Sequence, residues 1–199
     1  MRIIAGSARG TKIDAPEGLD TRPVTDKIRQ SLFNIWQFEM KDTSFLDIFS
    51  GSGSMALEAL SRGAKDVVMI EKAKPAADVI RRNLKTCHFE NRSAELLQKD
   101  VFAALDQLKR EGRTFDHIYA DPPYTVDAIF HPVMEALSDG KLLPDDGVVC
   151  IRTKKEKKMK DEYGCLEKFR EKTWGISTAH FYRKKESCAS PETRASREA

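Results

Sequence analysis

Phe45-Leu46-Asp47-Ile48-Phe49-Ser50-Gly51-Ser52-Gly53 is an apolar run that ends in a turn with two glycines. Helix-favouring residues 54–60 follow at once, so the pattern predicts a buried strand, a tight turn and the start of a helix. Gly51 and Gly53 have no Cβ, which lets the backbone adopt a positive φ and come close to a ligand. The free N–H groups at the start of the helix point the same way, so the segment predicts a nucleotide-like ligand.

The spacing of the glycines separates two Rossmann-type interpretations. Dinucleotide-binding folds need Gly-x-Gly-x-x-Gly, which would require a glycine at Ala56. The pattern Asp47-x-Phe49-x-Gly51-x-Gly53 resembles instead the first motif of S-adenosylmethionine-dependent methyltransferases. The resemblance implies that Asp47 lies near the methionine part of the cofactor and that Phe49 and the two glycines belong to its site.

Acidic residues follow two of the later predicted strands. Residues 66–71 form a β-branched run that predicts a second strand ending in Glu71, before a helix over 75–86. A carboxylate there can accept hydrogen bonds from both ribose hydroxyls. In dinucleotide folds, an acid about 20 residues beyond the glycine loop has this role. The alternative is that Glu71 forms an ion pair on the surface. Asp100 and Val101 follow a third strand, 94–99. They are candidates for contacting an adenine, and Asp100 equally for capping the next helix.

The fourth predicted strand, 115–120, runs directly into Asp121-Pro122-Pro123-Tyr124. Two consecutive prolines stiffen the backbone and remove N–H donors, which leaves carbonyl oxygens and the Asp121 carboxylate as acceptors. Tyr124 adds an aromatic ring that suits stacking on a planar base. The tetrad therefore predicts a catalytic site for a base with an amino group, and a Pro-Pro turn at the end of a strand is the structural alternative.

Basic charge is concentrated toward the two ends of the chain. Residues 1–30 hold 6 basic and 4 acidic side chains, residues 152–185 hold 12 and 5, and residues 31–151 hold 14 and 19. Two basic ends on an acidic body suit a polyanion such as nucleic acid, although the lysine run 154–160 is equally typical of a solvated surface. The candidates for phosphate contact near the glycine turn are Arg9, Arg22, Lys27 and Arg29.

The first thirty residues do not fit a parallel sheet. Residues 2–6 and 11–13 flank a short turn, which predicts a small hairpin. Thr25 or Asp26 is placed to cap an amphipathic helix over 27–38. Its apolar face is predicted to carry Ile28, Leu32, Ile35 and Trp36.

Together with the tetrad, residues 47–53 resemble the amino-methyltransferases that modify exocyclic amines of nucleobases, whose fourth motif reads Asp or Asn, Pro, Pro and an aromatic residue. Further segments are similar to the RsmD family, bacterial enzymes that methylate guanine N2 of small-subunit (16S) ribosomal RNA. These segments are Arg2-Ile3-Ile4-Ala5-Gly6, Arg9-Gly10, Arg22-Pro23-x-Thr25-Asp26-x-x-Arg29, Leu32-Phe33-Asn34 and Leu57-Glu58-Ala59-Leu60-Ser61-Arg62-Gly63-Ala64. The likeness extends to Lys185. Ser50 and Tyr124 depart from the commoner Ala and Phe, and neither change removes the acceptors or the ring.

The resemblance implies an α/β, Rossmann-like class I methyltransferase fold: a seven-stranded, mostly parallel sheet with a C-terminal antiparallel hairpin, plus a small N-terminal β-hairpin and helix. We expect an RNA-contacting extension at residues 1–40, the methyltransferase domain at 41–185 and a disordered tail at 186–199. The implied cofactor is S-adenosylmethionine. The implied partner is ribosomal RNA or the small ribosomal subunit, bound by a monomer without a metal or a membrane.

Composition fits a cytoplasmic protein. The 199 residues are 40% hydrophobic and show neither a long apolar span nor a signal peptide. The four cysteines, Cys87, Cys150, Cys165 and Cys188, lie far apart without a Cys-x-x-Cys pair. This spacing predicts reduced thiols rather than a zinc site or a disulfide framework.

The expected mechanism is direct methyl transfer. Alignment of donor and acceptor is worth up to roughly 7–11 kcal/mol. Hydrogen bonds from the amine to Asp121 and the Pro122 carbonyl favour its reactive pyramidal form, and either Asp121 or water takes the proton. Cys150 lies inside a predicted strand without a preceding proline, so a cysteine adduct is not expected.

Three alternatives stay open at this point. A DNA adenine-N6 or cytosine-N4 amino-methyltransferase shares the tetrad but usually has a sizeable recognition region, for which we expect no room here. A non-catalytic RNA-binding module would have no use for the tetrad. A small-molecule methyltransferase would keep the cofactor motifs and lack the flanking basic charge.

Overall fold

The computed structural model describes residues 1–16, 24–36 and 40–190. The chain divides into two compact units, Met1–Ala104 and Leu105–Ala199. The division falls inside a helix, Val101–Arg110, and not at residue 40, where the sequence predicted that the extension ends.

Strands alternate with helices in the first unit. Its elements are α1 (Asp26–Ile35), β1 (Ser44–Ile48), α2 (Ser54–Ser61), β2 (Asp66–Ile70), α3 (Lys74–Thr86), β3 (Ala94–Leu97) and the start of α4 (Val101–Arg110). The strands pair in parallel in the order β3-β2-β1, with Leu46 opposite Val68 and Val68 opposite Glu95. All but the first residue of β1 and of β2 are buried, as expected for parallel strands that helices cover on both faces.

The N-terminal residues pack against α2. The backbone N–H groups of Ile4 and Ala5 donate to the Glu58 carboxylate at 2.8 and 3.0 Å. An isolated antiparallel bridge joins Arg2 and Lys12, so the predicted hairpin exists as a single bridge rather than as two strands. The segment therefore belongs to the first compact unit.

Helix α1 begins as the sequence predicted and differs in its buried face. The Thr25 hydroxyl accepts a hydrogen bond from the Ile28 N–H at 3.3 Å, which confirms Thr25 as the N-cap. The helix ends at Ile35; residues 37–39 lie outside the described part of the chain. Leu32 and Trp36 are buried as predicted, but Arg29 and Phe33 are buried in the places expected for Ile28 and Ile35.

The second unit contains the remaining strands. After the end of α4, its elements are β4 (His117–Ala120), α5 (Phe130–Leu137), β5 (Val148–Lys154), β6 (Glu162–Tyr163), β7 (Leu166–Trp174) and β8 (Ser177–Lys184). The order is β4-β5-β8-β7-β6; β4 and β5 are parallel, and the other neighbours are antiparallel. Residues 148–153 of β5 and 177–182 of β8 are almost entirely buried, and they form the core of this unit.

The elements follow the sequence predictions closely, including the C-terminal antiparallel hairpin formed by β7 and β8. The described residues form eight strands rather than the seven predicted, and the additional one is the two-residue β6. A 3-10 turn, Asp127–Ile129, comes immediately before α5. Within residues 1–16, 24–36 and 40–190, no helix is long and apolar enough to cross a membrane.

Two predictions near the C-terminus are wrong. Cys165 and Cys188 form a disulfide, whereas reduced thiols were expected at all four cysteines; Cys87 and Cys150 are free and buried. Residues 186–190 were expected to be disordered, but Glu186–Cys188 forms a 3-10 turn and the Ser190 N–H donates to Asp145 at 2.9 Å. Folding brings together cysteines that are 23 residues apart, which their spacing did not indicate. Residues 191–199 of the predicted tail lie outside the described residues.

Candidate active site

The turn after β1 has open space in front of Gly51. Gly51 has a φ of +56°, and no atom lies within 4 Å of the position that a Cβ would take. Its N–H donates to one Glu71 carboxylate oxygen at 2.9 Å, and the Ala73 N–H donates to the other at 2.8 Å. Each carboxylate oxygen keeps a further lone pair. Glu71, the residue predicted to bind the ribose, therefore lies beside the open turn, and its carboxylate can accept further hydrogen bonds.

Asp47 and Gly53 serve the local fold. The Asp47 side chain is buried, and its carboxylate accepts from the Ala56 N–H in the first turn of α2 at 3.3 Å, where a negative charge is favoured. Gly53 has a φ of +74°, and a Cβ there would lie 3.3 Å from Ile80 Cγ1. Gly53 thus allows α2 and α3 to pack closely, a role that the sequence did not indicate. Its predicted cofactor contact stays a prediction.

The other predicted cofactor residues follow β1 and β3. Phe49 has a φ of +63°, which is uncommon for a residue with a side chain. Asp100 caps α4, because one carboxylate oxygen accepts from the Phe102 N–H at 3.0 Å, and the other lies 3.4 Å from Lys72 Nζ. Val101 is buried. Since β1, β2 and β3 are parallel neighbours, these residues lie at one edge of the strands, the carboxyl edge at which open α/β sheets bind ligands.

Asp121 follows β4 and is held by an arginine of β5. Ala120 lies opposite Ile151 in the parallel pair, so the next residues, Asp121 and Arg152, come side by side. Arg152 Nε donates to Asp121 Oδ1 at 3.0 Å, and Nη2 donates to Oδ2 at 2.6 Å. The pair is largely buried, with side chains that are 7% (Arg152) and 16% (Asp121) exposed.

Tyr124 is fixed by the same part of β5. Its hydroxyl donates to the Thr153 carbonyl at 3.2 Å, and the Arg152 guanidinium carbon lies 5.3 Å from the ring centre. The centre of the Phe130 ring lies 6.4 Å from that of Tyr124. Tyr124 is half-buried.

Burial and charge define the protonation states around the tetrad. Burial raises the pKa of the Asp121 carboxyl, while Arg152 and Tyr119 act in the opposite direction. Burial acts to lower the pKa of Arg152, but Tyr119 and Asp121 raise it above its ordinary value, so the guanidinium stays charged. Burial raises the pKa of Tyr124 to about 12, which keeps its hydroxyl a neutral donor.

Cys150 is fully buried in β5, as the sequence predicted for a residue inside a strand. Burial raises the pKa of its thiol well above the ordinary value. A thiol without ready access to the thiolate is a poor nucleophile. This environment agrees with the prediction of direct transfer without a cysteine adduct.

Two of the predicted phosphate ligands line one cavity. Arg9 and Lys27 face a cavity of about 410 Å³ together with Arg2, which the sequence analysis did not single out. Asp26 also lines it, and its carboxylate lies 3.7 Å from Arg2 Nε. The cavity brings together more positive than negative side chains, as a phosphate-binding surface requires.

The remaining two predicted phosphate ligands have different outcomes. Arg29 has no exposed surface, and its guanidinium donates to Asp26 at 3.0 Å and to the Arg2 carbonyl. Its Nε lies 3.7 Å from the buried Glu58 carboxylate. The prediction that Arg29 contacts phosphate is therefore wrong, because the helical pattern does not distinguish an exposed arginine from one that pairs with a buried acid. Arg22 lies outside the described residues.

Arg152 contacts the tetrad and was not predicted from the sequence as a residue of the site. It lies in a strand 31 residues after Asp121, and nothing in its local pattern marks it. The parallel pairing of β4 with β5 was the available signal, because a strand pair in that register places residue 152 next to residue 121.

One family model matches nearly the whole chain. The family model described as "Conserved hypothetical protein 95" matches residues 1–183. The chain is 32% identical over 183 residues to the ribosomal RNA small subunit methyltransferase D of Haemophilus influenzae, which covers 92% of this chain and 93% of the relative. It is 31% identical over 156 residues to the Escherichia coli protein of the same name, covering 78% and 76%. The solved structure of Escherichia coli yhhF, assigned as a methyltransferase, is 29% identical with a TM-score of 0.80, covering 93% of this chain and 98% of that one.

Proposed function

Because the chain belongs to the family described as conserved hypothetical protein 95, the RsmD family, we propose that it transfers a methyl group from S-adenosylmethionine to the N2 amine of a guanine in 16S ribosomal RNA. The class I methyltransferase fold that it shares with its structural relatives is compatible with this reaction. The observation that carries the proposal is the largely buried Asp121 carboxylate, which accepts two hydrogen bonds from Arg152 and is followed in the same tetrad by the half-buried Tyr124.

S-adenosylmethionine fits the residues at the carboxyl edge of β1 to β3. The open space at Gly51 admits a ligand, and Glu71 keeps lone pairs for ribose hydroxyls. Asp100 and Val101 offer an acceptor and an apolar surface that suit an adenine. When bound, the cofactor supplies an electrophilic methyl group, and these residues hold and orient it.

The tetrad accepts the guanine. Asp121 and the Pro122 carbonyl accept hydrogen bonds from the amine and favour its pyramidal form. In that form the nitrogen lone pair is less delocalised into the base, so the amine is a better nucleophile. Tyr124 stacks on the base, an interaction worth about 1–3 kcal/mol for single-stranded nucleic acids. The reaction needs the amine in line with the methyl group, and alignment of this kind is the main source of rate.

The cavity lined by Arg2, Arg9 and Lys27 favours a nucleic acid as the substrate, and the relatives point to ribosomal RNA. Arg9, Lys27 and Arg2 present cations on a concave surface, and contacts to phosphate position a nucleic acid without reading its sequence. We assign the cavity to the RNA backbone, and the tetrad to the target base.

Transfer of labelled methyl groups tests the proposal. The protein is incubated with labelled S-adenosylmethionine and, separately, naked 16S RNA, assembled small subunits and DNA. We expect label in one or both ribosomal substrates and none in DNA. Asp121→Ala should abolish transfer, with cofactor affinity by calorimetry unchanged. Label in DNA alone, or undiminished transfer by Asp121→Ala, would refute the proposal.

A further inference from the structure

The two functional side chains of the tetrad are held by two consecutive residues of β5. Arg152 donates two hydrogen bonds to the Asp121 carboxylate, at 3.0 and 2.6 Å. The next residue, Thr153, accepts from the Tyr124 hydroxyl through its carbonyl at 3.2 Å. The acceptor and the stacking ring are therefore both fixed by one strand that lies outside the tetrad itself.

Arg152 also links the two side chains to each other. Its guanidinium carbon lies 5.3 Å from the centre of the Tyr124 ring, within the range of a cation–π contact. The planar guanidinium pairs with this carboxylate through two roughly parallel hydrogen bonds, which together define the plane of the Asp121 carboxylate. A lysine would supply the charge without this orientation.

We propose that Arg152 is a positioning residue for methyl transfer, which sets the orientation of the Asp121 carboxylate and of the Tyr124 ring toward the target base. This inference rests on the proposed function. The guanidinium uses one lone pair on each carboxylate oxygen, and the Tyr119 hydroxyl also interacts with the carboxylate, which still leaves acceptor capacity for the amine of the base. Arg152 touches neither the base nor the cofactor in this role, and it acts through Asp121 and Tyr124.

A purely structural ion pair would have different consequences. A buried pair whose only role is packing stabilises the fold, and its loss lowers stability without changing the turnover of the molecules that remain folded. A positioning residue instead lowers kcat while the affinities for RNA and cofactor stay unchanged. A group held about 1 Å out of place costs about 10²-fold in rate.

The test compares Arg152→Lys with wild type in steady-state transfer to the ribosomal substrate that the wild-type protein methylates. We expect kcat to fall about 10²-fold. The KM for RNA and the calorimetric affinity for cofactor should stay at their wild-type values. Arg183→Lys is the matched control. Arg183 lies on the exposed part of β8 and pairs with Glu167 of β7, so this substitution should leave kcat unchanged. A wild-type kcat in Arg152→Lys would overturn the inference.

The pH profile supplies a second readout. Arg152→Met removes the charge that opposes the effect of burial on Asp121, so the acid limb of kcat should move to higher pH than in the wild type. An acid limb that stays in place would contradict the inference. If neither single variant folds, Arg152→Gln keeps one donor for the Asp121 carboxylate and removes the paired hydrogen bonds. Its kcat should then fall below that of the wild type, and a wild-type value would overturn the inference.

The same assay separates the two proposals. If the wild-type protein methylates no ribosomal substrate, the proposed function fails and the role of Arg152 fails with it. If the wild-type protein is active and Arg152→Lys matches it, only the role of Arg152 is overturned.

Discussion

Glu71 and Asp121 are carboxylates that the protein itself holds in place. Glu71 accepts from the N–H groups of Gly51 and Ala73, and Asp121 accepts from Arg152. A carboxylate that already carries fixed donors loses little conformational freedom when a ligand arrives, so more of the ligand's binding energy is retained. Both side chains can therefore serve the local fold and a ligand at the same time.

Replacement of Glu71 should separate cofactor binding from transfer. Glu71→Ala removes the proposed acceptor for the ribose, and a hydrogen bond to a charged group is worth about 1.5–3 kcal/mol. We expect a weaker calorimetric affinity for S-adenosylmethionine, with a smaller effect on transfer at saturating cofactor. Glu90→Ala, at an exposed glutamate, is the control. Unchanged affinity in Glu71→Ala would remove Glu71 from the proposed cofactor site.

The arginines of the N-terminal region should divide into two classes. Arg9→Gln should weaken RNA binding and lower its salt slope by about one unit, because Arg9 lines the basic cavity. Arg29→Gln should instead lower the free energy of unfolding by about 1–3 kcal/mol, because it removes a partner of the buried Glu58 carboxylate. Salt-dependent binding and chemical denaturation measure the two effects. A lower salt slope in Arg29→Gln without loss of stability would restore the original prediction for Arg29.

At the scale of elements, the turn between β1 and α2 contains two glycines with different surroundings. Gly51 faces open space, whereas Gly53 lies against the side chain of Ile80 on α3. Both have positive φ, which costs a residue with a side chain roughly 1–2 kcal/mol. The turn is thus open toward a ligand at one glycine and closed by packing at the other.

Alanine at each glycine should separate these two roles. Gly53→Ala adds a contact with Ile80 to the backbone strain, so it should lower the melting temperature more than Gly51→Ala does. Gly51→Ala should cause the larger loss of cofactor affinity, because its Cβ would enter the open space. Thermal melts and calorimetry on both variants provide the comparison. Equal affinity losses would mean that the space at Gly51 is not part of the cofactor site.

Elements defined by local pattern were predictable from the sequence. The strand, turn and helix around residues 45–60 follow from apolar runs and glycines, and Thr25 was one of two candidate helix caps, with Asp26, that residue type and position indicated. Features that depend on a distant partner were not predictable. Arg152 is recognised only through the register of β4 and β5, and the Cys165–Cys188 disulfide only after the chain has folded back.

Arg29 shows the limit of the same reasoning in the other direction. An arginine on an amphipathic helix is usually exposed, and the pattern was interpreted in that way. The buried Glu58 on α2 reverses this preference, because a buried carboxylate needs compensating charge. The partner lies 29 residues away in the sequence, and no periodicity connects the two.

At the scale of the whole molecule, the two compact units contribute different parts of the proposed reaction. The first unit holds the candidate cofactor residues and the basic cavity, and the second unit holds the tetrad with Arg152. Methyl transfer requires both sets to act on one substrate in one step. Detection of the methylated guanine in ribosomal RNA therefore tests both sets of residues together.

The most direct measurement is mass spectrometry of 16S RNA after reaction with the protein and S-adenosylmethionine. Digestion of the RNA to nucleosides by nuclease and phosphatase should release N2-methylguanosine, which is absent when Asp121→Ala replaces the wild-type protein. Methylation on an adenine, a cytosine or a ring nitrogen of guanine, or no methylated nucleoside at all in either naked RNA or small subunits, would contradict the proposed function.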